Sequence, residues 1–331
     1  MPSPRSVSFD LLCLSVRLAD PDSAVSAAEN LISAGAVDWE DLYERAKLHA
    51  IRPQLAKLIR NVSSEKIPEE FRNRLNDSHQ QNLSLQLRNI SEFYRIKHIL
   101  DTEGIDAIPF KGFWLAHDFY PGLADREGSD IDMYIRFGDL DRVTELMVRE
   151  GYVPEASASR SFIKKIKKHS AEYNFERYEG KEMVCHAEFH WKIGSSLHGM
   201  DISFTDLAPQ IVTGTIQEHT FKVFTPSAGL LLALMHHGGK DALVQLKHLL
   251  DIGMILKRDD RIDWDWVTDN ARRYNIETLV YLAARMASDI TGVETPARLT
   301  ALAESGRVCS LADGRKEVMV LSPSDWYSRK F

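Results

Sequence analysis

Residues 126–135 read Arg-Glu-Gly-Ser-Asp-Ile-Asp-Met-Tyr-Ile, two aspartates two positions apart at the entry to an apolar run. The alternation over 130–135 predicts a strand, and in a strand residues i and i+2 share a face. Asp130 and Asp132 then stand side by side, with Ile131, Met133 and Ile135 directed into a core behind them. Carboxylates held that close repel one another unless a cation or a proton lies between them. Any fold available to this chain must therefore bring positive charge to one face of that strand, and a divalent metal ion is the simplest source.

The rest of the chain divides by period. Residues 1–103 read as helical. Pro53 sits just inside one helix start, where its missing N–H costs little. Leu83, Leu87, Ile90 and Tyr94 form a stripe on a longer helix that ends near Gly104. After Gly104 the pattern turns strand-like at 105–110, followed by a glycine-started helix over 111–120, the aspartate strand, and a helix over 138–151 closed by Gly151. Two alternating runs around Glu179-Gly180-Lys181 predict a β-hairpin, and 221–225 is one more short strand. From Pro226 onward the helical signal returns. The expected fold is mixed α+β: an N-terminal helical region (1–103), a small sheet core (104–225) and a C-terminal helical bundle (226–331).

The second hairpin strand repeats the design of the first. Met183, Cys185, Ala187, Phe189 and Trp191 form an apolar face, and His186, Glu188 and His190 form the other. With polar faces aligned, Glu188 joins Asp130 and Asp132 as a third carboxylate, a set of hard oxygen ligands suited to Mg²⁺ or Mn²⁺. His186-x-Glu188-x-His190 could in principle hold zinc, although the zinc-protease signature is H-E-x-x-H on a helix. The two histidines are expected to line the cleft. Upstream, Lys111-Gly112 begins a helix where a glycine lets backbone approach a phosphate chain and the helix start offers unpaired N–H groups.

Other candidates carry plainer accounts beside the functional ones. His236-His237 precedes a glycine pair, where histidine caps the last helix carbonyls, while His236 also stands as a cleft residue. Lys247 and Asp251 have i, i+4 spacing, read as a surface ion pair or as a substrate contact at Lys247. The basic run 160–170, with Lys165 and Lys168, is either a solvated face or a phosphate contact. Arg126 neutralises the aspartates or clamps a phosphate, and Ser129 adjoins the same site.

Composition narrows the partners. With 48 acidic and 41 basic residues the formal charge is −7, which argues against a protein that coats long nucleic acid. Three cysteines without CxxC spacing indicate neither a disulfide framework nor a zinc ribbon. Asp10 and Arg17 interrupt the first apolar run before it reaches signal-peptide length, and no segment approaches a membrane span, so a cytoplasmic location is expected.

The segments PFKGFWLAHDFY, DREGSDIDMYI and HAEFHWKI, followed by LLLALMHHGG, LKHLLDIG and IDWDWV, resemble the nucleotidyltransferase superfamily typified by DNA polymerase beta and, more narrowly, the bacterial family of uncharacterised nucleotidyltransferases. The resemblance implies that Asp130, Asp132 and Glu188 hold the metal and carry catalysis, and that Lys111 and Gly112 face a nucleoside triphosphate. It implies transfer of a nucleoside monophosphate to an acceptor, for which the acidic charge favours a small molecule or a peptide or protein side chain over an RNA end. Gly112 is followed by Phe113 where the superfamily usually has a second small residue, and the third acid is glutamate where aspartate is commoner.

Overall fold

The computed structural model describes residues 7–35, 37–155, 170–193, 202–216 and 218–321. Helices α1 (Val7–Ser15), α2 (Pro21–Ala34), α3 (Trp39–Leu48), α4 (Arg52–Asn61) and the long α5 (Glu69–Thr102) come first. Then follow β1 (Ala107–Pro109), α6 (Gly112–Phe119), β2 (Ile131–Ile135), α7 (Leu140–Arg149), β3 (Val153–Pro154), β4 (Glu172–Glu179) and β5 (Glu182–His190). A short helix α8 (Phe204–Leu207) leads to the strands β6 (Ile211–Ile216) and β7 (His219–Phe224). The chain closes with helices α9 (Pro226–Leu234), α10 (Leu246–Leu256), α11 (Trp264–Arg273), α12 (Glu277–Thr291), α13 (Ala297–Ala303) and α14 (Gly306–Met319). The architecture is α+β, as the change of period at Gly104 implies.

Five strands form one mixed sheet in the order β1-β2-β5-β4-β3, and β6 pairs with β7 in a separate ribbon. The pairs are antiparallel except β2 with β5, which run parallel and set Asp132 opposite Glu188. One sheet face carries Ile131, Met133, Ile135, Cys185, Ala187 and Phe189, packed with Phe93, Ile96 and Leu100 of α5 and with Val143 and Met147 of α7. The opposite face carries Asp132, Tyr134, Glu188 and His190. There Phe110 and Tyr134 enter a second apolar cluster that contains residues from α1–α4 and α9–α14.

Three expectations need correction. Met183 is 47% exposed rather than part of the apolar face, because the register between β4 and β5 shifts at Arg177/Tyr178 and breaks the alternation. On α5, Ile90 and Tyr94 of the expected stripe join the sheet-side core, but Leu87 is 51% exposed and the buried face of that stretch also holds Asn82, Gln86 and Asn89. The helix is turned by polar work: Asn82 Nδ2 donates to the carbonyls of Ala124 and Arg126 (2.9 and 3.0 Å), and Gln86 Nε2 donates to that of Gly128 (2.7 Å). These bonds fix the loop that feeds β2. Finally, His236 and His237 do not cap a helix end; they lie in a π-helical turn, Met235–Lys240, that continues α9.

Candidate functional site

Asp132 opens the site from β2. It is 3% exposed, and its Oδ1 lies 2.6 Å from Lys111 Nζ and 3.2 Å from His190 Nε2. The parallel register places Glu188 beside it, with Glu188 Oε2 3.3 Å from the same His190 nitrogen and Oε1 3.3 Å from His186 Nε2. Ligand atoms of Asp132, Glu188 and His190 lie within 4.8 Å of one another. Asp130 precedes the strand proper, half-buried and outside that tight group, though close enough to Asp132 for each charge to be felt by the other.

Electrostatics divide the carboxylates. Burial alone would raise Asp132, but the Lys111 charge and the His190 hydrogen bond outweigh it and hold the group well below the usual range. Burial likewise opposes the hydrogen bonds from His186 and His190 that depress Glu188. Both are therefore ionised at neutral pH. Asp130 is raised by burial and by the Asp132 charge. His186 is pushed up to about 9, mainly by its hydrogen bond to Glu188. His190 loses basicity to burial but regains more from Asp132 and Glu188, while its Nδ1 lies 3.2 Å from Glu172 Oε2.

This donor set fits Mg²⁺ or Mn²⁺. Two ionised carboxylates from neighbouring strands supply hard oxygens, and the Lys111 ammonium against Asp132 marks a place where a cation is stabilised. Gly112 adopts φ +56°, and a Cβ there would meet the Asp130 carbonyl oxygen at 3.0 Å and Asp132 Oδ2 at 3.7 Å. Only glycine lets the start of α6 lie this close to β2. Phe113, where a second small residue is usual, is buried in the core behind.

A second polar layer lies against the first and comes from the C-terminal helices. Asp251 on α10 is fully buried, and Arg126 reaches it through Nε and Nη2 at 2.8 and 2.9 Å. Tyr120 donates to Asp251 Oδ1 (2.6 Å), and His237 Nε2 lies 3.2 Å from Oδ2. Burial opposes the ionisation of Asp251, but the Arg126 charge wins and its carboxyl stays well below the usual range. Arg126 also donates to the Gly112 carbonyl (3.2 Å). Its guanidinium thus ties α10 to α6, and Lys111, rather than Arg126, neutralises the strand aspartate.

The expected Lys247–Asp251 surface pair does not form. Asp251 is interior, because a buried guanidinium needs a bidentate carboxylate. Lys247 is half-buried and has no ion-pair partner within 4.0 Å among the described residues; burial and the Arg126 charge lower its basicity. His236 Nε2 lies 3.0 Å from Lys111 Nζ, and burial together with that charge drops His236 to about 3. Ser129 is exposed at the strand entry. Lys165 and Lys168, and nearly all of the 160–170 run, lie outside the described residues.

Sequence reading missed Asn82, Gln86, Tyr120, Asp241 and the interior role of Asp251, and gave His237 only a helix-capping part. A buried Asn-x-x-x-Gln spacing on the long helix was the one available signal, since polar residues at i, i+4 share a face.

Paired strand carboxylates, a lysine and glycine at a helix start, and polar side chains of the C-terminal helices packed against them define an α+β protein with a largely buried charged site. The chain belongs to the family described as uncharacterised nucleotidyltransferase, whose model matches residues 35–292. Among curated proteins and among solved structures nothing matches it.

Proposed function

We propose that the chain transfers a nucleoside monophosphate from a nucleoside triphosphate to an acceptor with release of pyrophosphate, using Mg²⁺ or Mn²⁺ held by Asp132 and Glu188 with Asp130 at the edge of the site. The observation that carries the reading is the parallel β2–β5 register, which sets Asp132 directly across from Glu188. Family membership supports nucleotidyl transfer at this coarse level. A bound divalent ion would supply positive charge to phosphoryl oxygens and favour ionisation of the attacking group.

The chain's own residues do the positioning. His190 orients Asp132 and Glu188, and His186 orients Glu188. Lys111 balances Asp132 and is the cation nearest to an incoming phosphate, steadied from behind by His236. Gly112 holds the start of α6 against β2, where the N–H groups of that helix start are assigned to the phosphates, and Ser129 is exposed at the strand entry. Lys247, with no ion-pair partner among the described residues, receives the outer phosphates, and Lys165 and Lys168 are assigned to the same chain of phosphates on sequence grounds. Arg126 serves as a positioning residue through Asp251. The net charge of −7 favours a small-molecule or peptide or protein acceptor over an RNA end. Among the described residues no helix is long and apolar enough to cross a membrane, and the proposed setting is the cytoplasm.

One observation favours a second reading, a non-catalytic nucleotide-binding or docking module: Asp132 Oδ1 already meets both Lys111 and His190 within the chain. Pyrophosphate release separates the two. Each nucleoside triphosphate is offered with Mg²⁺ and candidate acceptors to the wild type and to Asp132→Asn, whose near-UV circular dichroism should match. Release by the wild type alone is expected. Undiminished release by Asp132→Asn removes the proposed site, and triphosphate binding that never yields pyrophosphate favours the module.

A further inference from the structure

The π-helical turn gathers a second constellation, of which the proposed transfer uses only His236, as the support of Lys111. His236, His237 and Asp241 offer ligand atoms within 4.8 Å of one another. Three imidazole nitrogens surround one oxygen: Asp241 Oδ2 lies 3.2 Å from His236 Nδ1, 3.9 Å from His237 Nδ1 and 3.6 Å from His248 Nε2. A tetrahedral ion with bonds of about 2.0–2.1 Å keeps its ligand atoms roughly 3.4 Å apart. The spacing is that of a ligand set.

Hydrogen bonding decides which electron pairs point inward. Asp251 can only accept, so His237 places the hydrogen of its neutral ring on Nε2, toward Asp251 Oδ2 at 3.2 Å. Its lone pair is then on Nδ1, facing Asp241. A carboxylate that fixes one imidazole nitrogen while the other faces a ligand position is the usual outer support of a metal-bound histidine. His237 is 3% exposed, and its Nδ1 and that of His248 are buried with no hydrogen-bond partner, while His236 Nδ1 meets only Asp241. The His236 and His237 rings stand at 89°, which lets their Nδ1 atoms converge on Asp241 Oδ2. His248 stacks parallel to His237 (14°, 4.3 Å) and so walls the site instead of closing it.

The backbone is bent to produce this cluster. π-helical turns concentrate at functional sites, and this one is followed by two consecutive left-handed non-glycine residues, Ala242 (φ 57°) and Leu243 (φ 56°). Such conformations are strained and persist where the surroundings demand them.

We propose that His236, His237 and Asp241 form a site for one divalent transition-metal ion of the zinc class, separate from the Asp132–Glu188 cleft, with a fourth position for water. Imidazole nitrogens with one carboxylate select zinc or cobalt over magnesium. The site communicates with the cleft through His236. There Lys111 donates to Nε2, which leaves hydrogen on Nδ1; an ion at Nδ1 needs that hydrogen moved to Nε2, donor against donor. Occupancy and the Lys111–His236 contact therefore exclude one another.

Cobalt(II) titration of the full chain, read by visible absorption and by metal analysis, tests this. One equivalent with intense tetrahedral bands is expected, displaced by Zn²⁺ and unaffected by excess Mg²⁺. The bands should vanish in His237→Ala and Asp241→Asn and persist in Glu188→Gln. Lys111→Met should bind Co²⁺ more tightly, by about tenfold, the lower end of typical outer-shell effects. Should the two ligand variants fail to fold, His236→Gln carries the same expectation of lost bands. No tetrahedral bands with folded wild type, bands that survive Asp241→Asn, bands lost on Glu188→Gln, or unchanged affinity in Lys111→Met would each overturn the proposal.

Discussion

At the scale of single residues, the Arg126–Asp251 pair is the most consequential contact away from the carboxylates. Both groups are buried, and Asp251 answers Arg126, Tyr120 and His237 at once. Removing one partner strands an uncompensated charge, which costs about 3–5 kcal/mol, whereas replacing both by apolar residues is often near neutral. Asp251→Asn should accordingly lower the stability measured by urea unfolding by that amount, and Arg126→Met with Asp251→Leu should recover much of it. Equal losses in the single and double variants would show that the charge pair does not dominate this interior. The strand parity that set Asp132 and Glu188 on one face was legible in the sequence, since side-chain direction follows from period two alone. The Arg126–Asp251 and Lys111–His236 contacts were not, because each joins residues 125 positions apart and no local pattern encodes such a pairing.

At the scale of elements, α5 explains how the carboxylate strand β2 is held. Of the sequence stripe Leu83, Leu87, Ile90, Tyr94, the last two make the apolar contact, yet around Leu83 and Leu87 the helix presents Asn82 and Gln86 to the loop carbonyls of residues 124–128. Loop carbonyls next to a helix need donors more than methyl groups, and that tertiary demand overrides periodicity. Helix and strand identities were legible because their patterns are local, as with the hairpin turning at Gly180 and the glycine-started α6. The ribbon strand β6 was overlooked, for Ile211–Ile216 is largely exposed and lacks a clear alternation of burial. Asn82→Ala removes two donors from buried carbonyls and should cost about 1–3 kcal/mol. Thermal unfolding checks the cost, and triphosphate affinity should fall with it, since the loop carries Arg126 and leads into Asp130. A variant as stable as wild type would mean that water replaces the amide at no loss.

At the scale of the molecule, the helices of the two ends are one body. Leu12, Leu42 and Leu55 from the N-terminal helices share a cluster with Leu249, Ile255 and Ala283 from the C-terminal ones. We therefore propose that the boundaries near 103 and 225 mark chain organisation rather than units that fold alone. A chain begun at residue 104 should lack a cooperative thermal transition, and a sharp one would contradict this. His49 gives the point its finest test. It is fully buried, lies 3.1 Å from the Met319 carbonyl through Nε2 and receives the Leu246 N–H at Nδ1, so a single neutral ring joins α3, α10 and α14. Burial lowers it to about 4 from the ordinary 6.5. Between those values the unfolded chain takes up a proton that the folded chain lacks, so stability rises with pH across the window: it is full above about 6.5 and lost as pH falls toward 4. From pH 7 to pH 5 the His49 share of that loss is about 2 kcal/mol. Glutamine can donate to Met319 and accept from Leu246 without titrating, and His236 and His248, also depressed by burial, remain in place to supply the background slope. Urea unfolding of His49→Gln at the two pH values should therefore show a drop smaller than that of wild type by this share. Identical drops would mean that His49 meets water in the folded chain and that the two helical ends are not sealed against each other.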